Sequence, residues 1–377
     1  MELTPNLLSY LDSHAEESKD LLITLAQIPA PSHHEEKRAV FCAEWLRQQG
    51  AEGVYIDDAL NVVYPIGCTE TNPVAVFMAH SDVVFPDTTP LPLSVSDGMI
   101  HCPGVGDDTA NVVALMMAAK FIAQNHLTPR ESGILLVINS CEEGLGNLKG
   151  SRKIMQDFSG RVTEFITFDG TVKQIVNRAV GSRRYKVTVE TEGGHSYSKF
   201  GNRNAIAYLA SIIHDLYQIQ VPPLGKTTYN VGTIQGGTSV NTIAQNASML
   251  FEFRSDEAEA LEIMENYFRN VIADYTKRDL QVNVTLLGDR PCSGKLDWTL
   301  EETLMNRAAR AVSDHYGYEV SFRSGSTDCN IPLSIGVPAV CVGCAEGDGA
   351  HTREEYVHIS SLRPGLGVAL QLILHHF

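Results

Sequence analysis

Apolar runs of strand length alternate with helix-length segments along most of this chain, and this alternation most limits the folds it can adopt. Residues 74–79 (VAVFMA) and 133–139 (GILLVIN) are short apolar runs bounded by turn residues, whereas 109–125 has the length of a helix. Strands that alternate with helices form a largely parallel sheet with helices packed on its faces. We therefore predict an α/β domain, with a mostly parallel mixed sheet flanked by helices, from residues 1–180 and 291–377.

The segment between those two parts has a different order of strands and helices. Over residues 181–290 the predicted order is strand, helix, strand, strand, helix, strand. This order describes a small ferredoxin-like α+β domain of the split-βαβ type, inserted into the larger domain. Two domains also suit the length, since 377 residues exceed the size at which a single hydrophobic core usually stops growing.

Charge and composition argue against several classes of partner. The formal net charge of -16 disfavours nucleic acid or an anionic membrane as the main partner. The longest apolar runs are only strand-sized, so no membrane-spanning helix is expected. The first 20 residues read as an amphipathic helix and lack the basic start and apolar core of a signal peptide. With eight scattered cysteines that we expect to be reduced, these features predict a cytoplasmic protein.

Residues that can bind a metal follow the predicted strands at their carboxyl ends. In an open α/β sheet these ends meet at one edge, which is where ligands bind. Each residue alone has an ordinary explanation, such as a helix-capping acid or a turn dipeptide. Convergence of five separate elements on one edge is what favours a site. The residues are His80 and Asp82, Asp107 and Asp108, Glu142 and Glu143, Asp169, and His351.

The types of these residues indicate zinc chemistry. Imidazole nitrogens and carboxylate oxygens suit Zn²⁺, with Co²⁺ or Mn²⁺ as substitutes. Asp107 is the natural bridge between two metal ions, because it would stand at a helix start that holds a short side chain rigidly. Asp82 can accept the second imidazole N–H of His80. Glu142 and Glu143 are neighbours that point apart, so one can bind metal while the other acts as a general base.

A second group of polar residues lies in the inserted domain. His195 and Asn241 stand in glycine-rich loops, and Arg254 ends a predicted strand. These side chains can stabilise a tetrahedral oxyanion and hold a substrate carboxylate. The alternative is a turn histidine, a turn asparagine and an exposed arginine without a role. The loop 325–328 (GSTD) likewise either binds substrate or only connects two elements.

The motifs HSD, GVGDD, CEEG, FDG, GGHS, GGTSVNTIA and GAHTREEYV occur in this order along essentially the whole chain. As a set they resemble the zinc-dependent exopeptidase and deacylase family that includes peptidase T, acetylornithine deacetylase, aminoacylase and glutamate carboxypeptidase. The resemblance implies a zinc-binding catalytic domain and an inserted lid domain that pairs chains in a homodimer. It also implies that Asp107 bridges two zinc ions, the first bound by His80 and Asp169 and the second by Glu143 and His351.

The same resemblance implies roles for the other residues. Glu142 matches the general base, and Asp82 matches the acid that orients His80. His195 matches the lid histidine that reaches the partner subunit's site in dimeric members. Asn241 and Arg254 resemble contacts to the substrate carboxylate. One departure is visible, because Thr109 stands where many members of the family carry a lysine.

Three functions remain open at this stage. The first is an exopeptidase for dipeptides or tripeptides, of the aminopeptidase kind. The second is a deacylase that removes an acyl group from an amino acid, as acetylornithine deacetylase and aminoacylase do. Both would use the same zinc pair and base, and they differ in the group that fills the substrate pocket. The third is a non-catalytic binding protein, which would be expected to have lost a ligand or the base.

Overall fold

The computed structural model describes residues 5–377, so the first four residues of the predicted opening helix lie outside the described part. The chain divides into two compact units. One unit runs to Ala179 and resumes at Gly294, and we call it the sheet unit. The other spans Val180–Ser293, and we call it the inserted unit.

The helices and strands are numbered in chain order over residues 5–377. Helices α1 to α10 span Pro5–Ser13, Ala15–Ala26, Glu36–Gln48, Ala110–Gln124, Lys149–Asp157, Ala205–Leu216, Ala258–Lys277, Trp298–Tyr316, Asn330–Ser334 and Ile359–Ile373. Strands β1 to β9 span Tyr55–Ile56, Val62–Ile66, Val74–His80, Ser94–Ser96, Met99–His101, Gly133–Asn139, Val162–Thr167, Gln174–Ala179 and Gly181–Glu190. Strands β10 to β18 span Gly194–His195, Thr227–Gly236, Thr242–Ile243, Asn246–Ser255, Gln281–Arg290, Ser321–Gly325, Ala339–Cys341, Gly347–Asp348 and Tyr356–His358.

The sheet unit is built on a mixed sheet whose described strands lie in the order β1-β2-β6-β3-β7-β16-β8-β15. The central strands β6, β3, β7 and β16 are parallel neighbours, and antiparallel pairs occur toward both edges. Strand β3 pairs with β6 from Val74↔Gly133 to His80↔Asn139, so the two strands end together. The predicted α/β fold is confirmed, and its geometry brings the residues after β3 and β6 to one edge.

Both faces of this sheet are covered, which explains why β3 and β6 are apolar up to their last residues, His80 and Asn139. Phe77 packs in a core layer with helices α2, α4 and α10, whereas Val76 and Met78 on the opposite face pack with residues of α5 and α9. Helix α4 is buried along almost its whole length and is correspondingly apolar. The two buried layers leave the carboxyl edge of the sheet as the place where polar residues can gather.

The start of α4 differs from the prediction. The sequence predicts a helix from Thr109, with Asp107 and Asp108 in its first turn. In the structure Val105–Thr109 forms an irregular turn, and Asp107 has φ -112° and ψ 89°, which are not helical values. Regular helix begins at Ala110. The extended backbone at Asp107 turns its carboxylate away from the helix, toward the histidines described below.

The inserted unit is an antiparallel sheet with two helices. Its described strands lie in the order β11-β13-β9-β14, and chain order runs β9, α6, β11, β13, α7, β14. Alternate residues of β13 are buried, as expected for a strand with helices on one face. Aromatic rings of Tyr185, Phe251, Phe253 and Phe268 stack in its core. This is the predicted ferredoxin-like topology.

Two further expectations concern cysteines and membranes. All eight cysteines lie in the described part of the chain, and each is a free thiol there. Over residues 5–377, the structure contains no helix that is both long enough and apolar enough to cross a membrane.

Candidate metal centre

His80 ends β3 and is almost fully buried. Its Nε2 atom lies 3.1 Å from Oδ1 of Asp107, and its Nδ1 atom lies 3.0 Å from the main-chain oxygen of Asp82. The backbone N–H of His80 donates to Oδ2 of Asp108 at 2.8 Å. Asp82 therefore holds the imidazole at Nδ1, and its Nε2 atom faces Asp107.

Asp107 lies between two histidines. While its Oδ1 faces His80, its Oδ2 lies 3.1 Å from Nε2 of His351. The turn that carries Asp107 is held by Glu355, whose carboxylate accepts the N–H groups of Gly104 at 2.5 Å, Gly106 at 2.8 Å and Asp107 at 2.8 Å. Each carboxylate oxygen of Asp107 thus points to a different imidazole, which is the arrangement that a bridging ligand requires.

The two adjacent glutamates follow β6 at a sharp turn. Cys141 has a φ of 56°, a left-handed value that a non-glycine residue adopts only when its surroundings hold it. The N–H groups of Glu142 and Glu143 donate to Oδ1 and Oδ2 of Asp82, at 2.9 and 3.0 Å. Oε1 of Glu143 lies 3.2 Å from Nε2 of His351. Asp82 therefore contacts both His80 and the backbone of the glutamate pair.

Asp169 and His351 complete the set. Single ligand atoms of His80, Asp107 and Glu143 lie within 4.8 Å of one another, and so do those of His80, Asp108 and Asp169. The side chain of His351 is 57% exposed, so the cluster opens to solvent on that side. The structure brings all five predicted ligands and both predicted acids, Glu142 and Asp82, to one end of the sheet.

The electrostatics of the cluster fit a cation. Burial, reinforced by the Asp107 carboxylate, raises the pKa of Asp169 to about 7. Hydrogen bonds to Asp107 and Glu143 raise the pKa of His351 to about 10. Burial alone would raise the pKa of Asp107, but hydrogen bonds from His351 and His80 hold it below its ordinary value. Carboxylates crowded in the protein interior need positive charge, which metal ions supply.

Asp108 was predicted to lie at this edge but was given no ligand role, and the structure places it in the cluster. It is fully buried, and its Oδ1 accepts a hydrogen bond from the Asn111 amide at 2.6 Å while its Oδ2 accepts from His80 N–H. Asp108 therefore fixes the end of β3 relative to α4. Its place directly after Asp107 in the acidic pair gave it no separate signal in the sequence.

Three more buried charged residues, Glu35, Arg38 and Glu355, were missed from the sequence. Arg38 donates to the main-chain oxygen of Ser81 at 2.7 Å and to the Thr109 hydroxyl at 3.3 Å. Thr109 in turn donates to the main-chain oxygen of Gly104 at 2.5 Å. The threonine that departs from the family pattern is therefore a buried link between α3 and the Asp107 turn.

The loop 325–328 contributes a buried acid. Asp328 is almost fully buried and its Oδ2 accepts a hydrogen bond from the Asn139 amide at 2.6 Å. Burial raises the pKa of its carboxyl to about 6. Since Asn139 ends β6, this contact links the loop to the strand that carries the glutamate pair. The sequence left the loop open between substrate binding and a plain connection.

In the inserted unit, His195 and Asn241 are neighbours. Strands β10 and β12 pair His195 with Thr242, and the N–H of Ser196 donates to the main-chain oxygen of Asn241 at 2.9 Å. Nδ1 of His195 accepts the N–H groups of Tyr197 and Ser198, at 3.3 and 3.4 Å. In neutral His195 the ring proton consequently lies on Nε2.

Arg254 stands apart from this pair. Arg254 lies near the carboxyl end of β13, which begins at Asn246. The His195 and Asn241 loops meet near the beginning of that strand. Its guanidinium donates to both carboxylate oxygens of Glu252, at 3.1 Å each. The structure therefore groups two of the three predicted residues of the inserted unit.

Histidines and carboxylates that converge on the carboxyl edge of an α/β sheet, with an adjacent acid at hand, define a metal-dependent hydrolase as the class of protein. Residues 76–375 match the model of Peptidase family M20/M25/M40, and the chain belongs to this family. It is a metallohydrolase that cleaves peptide or amide bonds. The family predicted from the sequence motifs is confirmed.

Similar proteins span nearly the whole chain. An acetylornithine deacetylase of Myxococcus xanthus is 26% identical over 345 residues, which cover 85% of this chain and 86% of that protein. The crystal structure of a tripeptidase from Staphylococcus aureus superposes with a TM-score of 0.75 and 21% identity, covering 95% of this chain and 97% of that one. A dinuclear metal binding peptidase from Bacillus subtilis has a TM-score of 0.63 and 18% identity, covering 97% and 100%.

Proposed function

We propose that this protein is an exopeptidase that removes residues from dipeptides or tripeptides with the help of two metal ions. Zinc is the metal that we propose. The observation that carries the proposal is the double orientation of Asp107, whose two oxygens face His80 and His351. A carboxylate shared in this way fits two cations rather than one. The dinuclear centre named for the Bacillus subtilis relative supports the same number.

The ligands divide into two sets around Asp107. We assign His80 and Asp169 to the first metal and Glu143 and His351 to the second, with Co²⁺ and Mn²⁺ as substitutes. When bound, the metals would polarise the scissile carbonyl and lower the pKa of water at the site. Asp82 keeps the His80 imidazole oriented, because it contacts the ring nitrogen that faces away from Asp107.

Glu142 is the proposed general base. It is nearly buried, and its backbone is held by Asp82 beside the ligand Glu143. Because neighbouring side chains leave the backbone in different directions, Glu142 can accept a proton from the attacking water while Glu143 faces His351. The same carboxyl can then deliver the proton to the leaving amine.

A small cavity supports an amine-bearing substrate. It has a volume of about 130 Å³ and lies beside Asp107, with Thr171, Asp348, Glu355 and Tyr356 among its lining residues. Its described lining includes no lysine or arginine. Of its three acids, Asp107 and Glu355 are already engaged by the histidines and by backbone N–H groups, so Asp348 is the carboxylate left for a substrate. A cavity with an available carboxylate and no basic side chain suits a protonated substrate amine better than a substrate carboxylate. This favours an aminopeptidase over a carboxypeptidase.

The alternative activity is the deacylation of N-acyl amino acids. The acetylornithine deacetylase of Myxococcus xanthus supports it, since that relative covers most of this chain. A deacylase would need room for an acyl group where an aminopeptidase needs an acid. The two activities therefore make opposite demands on the cavity beside Asp107.

A substrate panel separates these activities. Metal-free protein is loaded with Zn²⁺, Co²⁺ or Mn²⁺ and assayed with a tripeptide, a dipeptide, their N-acetylated forms and an N-acetyl amino acid. We expect hydrolysis of the free peptides and at least tenfold slower hydrolysis of the N-acetylated ones. Faster cleavage of the N-acetyl compounds would replace the exopeptidase by the deacylase. Hydrolysis of none of them with any metal would overturn the proposal.

We further propose that the inserted unit acts as a lid and pairs two chains in a homodimer. Strand β11 lies at the edge of its sheet, with no partner on its outer side among the described strands, and Ile234 on it is 55% exposed. Tyr197 and Phe200, next to His195, are 89% and 92% exposed. A free strand edge and exposed apolar side chains favour contact with another chain.

In such a dimer His195 would stabilise the oxyanion of the partner subunit's substrate through its Nε2–H. The backbone bonds to Nδ1 support this role, because they leave the proton on the other ring nitrogen of an exposed histidine. Asn241 and Arg254 are proposed contacts for the substrate carboxylate. Because they lie toward opposite ends of β13, contacts of both to one substrate would come from different chains of the dimer, and Arg254 would exchange its present partner Glu252 for the substrate. The eight free thiols favour a reducing compartment, and we propose the cytoplasm.

A further inference from the structure

Glu35 is a fully buried carboxylate directly before α3. Its Oε1 atom accepts the N–H of Cys141 at 3.0 Å, the N–H of His33 at 3.1 Å and the Cys141 thiol at 3.3 Å. Its Oε2 atom has no hydrogen-bond partner among the residues that the structure describes. Since burying a carboxylate is unfavourable, packing alone gives no reason for a glutamate at this position.

The contact with Cys141 places Glu35 in a series. The three consecutive N–H groups of Cys141, Glu142 and Glu143 donate in turn to Glu35 Oε1, Asp82 Oδ1 and Asp82 Oδ2. Two buried carboxylates thus hold the three consecutive amides from Cys141 to Glu143 in the turn that follows β6. Hydrogen bonds to an ionised acceptor such as Asp82 are stronger than neutral ones, so the Glu142 and Glu143 amides are held firmly. Burial and the charge of Asp82 raise the pKa of Glu35, and its carboxyl oxygen accepts the Cys141 N–H in either protonation state.

The turn needs such support because Cys141 adopts a left-handed backbone conformation. Without an acceptor for its N–H, Cys141 can relax toward an ordinary conformation, and that rotation would redirect the next side chain, Glu142. Catalysis is sensitive to this, since a misplacement of about 1 Å can cost on the order of 100-fold in rate.

We infer that Glu35 is a positioning residue for the general base. It acts through the backbone of Cys141, keeps the turn in its left-handed conformation and thereby aims the Glu142 carboxylate. The inference rests on the proposed role of Glu142 as the base. The predicted signature is a fall in kcat with little change in KM or in metal content.

The test compares variants of the full-length, metal-loaded protein on the peptide that the wild type cleaves best. Glu35→Ala removes the acceptor and should lower kcat about 30-fold to 100-fold, with KM within about threefold and both metals retained. Glu35→Gln keeps an oxygen for the Cys141 N–H and should recover kcat to within about fivefold of the wild type. The matched control is Glu36→Ala, which removes an exposed carboxylate one residue further along and should behave as wild type.

A third variant covers the case in which Glu35→Ala does not fold. Glu35→Asp keeps the charge but shortens the side chain, so its carboxylate no longer reaches the Cys141 N–H and kcat should still fall. Wild-type kcat in Glu35→Asp or Glu35→Ala would overturn the inference. The inference would also be overturned if kcat fell equally in the alanine and glutamine variants and in proportion to lost metal, because Glu35 would then have only a structural role. Failure of the proposed function would give a different result from failure of this inference, because the metal-loaded wild type would then cleave no substrate.

Discussion

Oδ1 of Asp82 accepts the backbone N–H of Glu142 at 2.9 Å, so the acid that orients the His80 imidazole also anchors the proposed base. Burial alone would raise the pKa of Asp82, but hydrogen bonds from His80, Ser32 and the Glu142 amide hold it below its ordinary value. Asp82 consequently remains ionised, and one carboxylate links the proposed metal ligand His80 to the proposed base Glu142.

Replacement of Asp82 by asparagine should therefore impair two functions at once. The new amide nitrogen cannot accept the N–H of Glu142 or Glu143, and the His80 ring loses its negative partner. We expect kcat/KM to fall by about 10-fold to 100-fold, together with weaker binding of one metal. Steady-state kinetics and metal titration measure the two effects. An unchanged metal affinity would show that Asp82 does not support His80.

Substitution of the proposed base should affect catalysis alone. Glu142→Ala should lower kcat by about 100-fold to 10,000-fold, because proton transfer from water loses its acceptor. Both metals should remain bound, since Glu143 and the other proposed ligands are unchanged. Elemental analysis of the purified variant checks this. Glu354→Ala, a change of an exposed acid beside the buried Glu355, is the control and should retain full activity. Wild-type turnover by Glu142→Ala would contradict the assignment.

The trans role of His195 can be tested by mixing two inactive variants. Chains with Glu142→Ala and chains with His195→Ala are exchanged, and heterodimers are isolated through different affinity tags. If His195 serves the partner subunit's site, one of the two sites in a heterodimer regains both residues, and activity should approach about half that of the wild type. Heterodimers that stay inactive would place His195 in the site of its own chain. Homodimers of each variant provide the baseline.

Stability should depend on pH through a buried acid away from the metal centre. Glu301 in α8 is fully buried, and burial raises its carboxyl pKa from 4.5 to about 7, although it accepts the Ala339 N–H. The folded state therefore holds this proton more tightly than the unfolded state. The contribution of protonated Glu301 to the free energy of unfolding is complete below about pH 4.5. On the order of 3 kcal/mol of it is lost as pH rises to about 7.

Glu301→Gln removes this titration while leaving an oxygen for the Ala339 N–H. Urea unfolding at pH 5 and pH 8 should show a smaller loss of stability at the higher pH in the variant than in the wild type. The difference between the two proteins isolates Glu301 from other titrating groups. An identical pH dependence in both would contradict the prediction.

The sequence predicted the α/β sheet, the inserted ferredoxin-like unit and the residues at the strand ends. It did so because strand ends in such a sheet are adjacent by topology, as His80 and Asn139 are in the register of β3 and β6. Glu35, Arg38 and Glu355 were not predicted. Each of them has a backbone partner far along the chain, and a single charged residue in a polar stretch looks the same whether it is buried or solvated.

The sequence also failed to predict two local features. The conformation of Asp107 depends on the three N–H groups that Glu355 accepts, which no helical pattern could reveal. The pairing of Arg254 with Glu252 is also local, and it follows from the period of the strand because alternate residues share a face; the interpretation of Arg254 as a substrate contact overlooked it. Long-range hydrogen bonds to backbone therefore account for most of what the sequence left out.

Glu355 has a consequence for the order in which the protein matures. It binds Gly104, Gly106 and Asp107 across separations of 251, 249 and 248 residues. Because synthesis runs from the amino to the carboxyl terminus, the turn that carries Asp107 lacks its acceptor until Glu355 has been synthesised and has left the ribosome. The candidate metal centre therefore takes its final form only after the second part of the sheet unit has emerged. A nascent chain that ends before Glu355 should carry no organised metal centre, and so no hydrolase activity toward its neighbours.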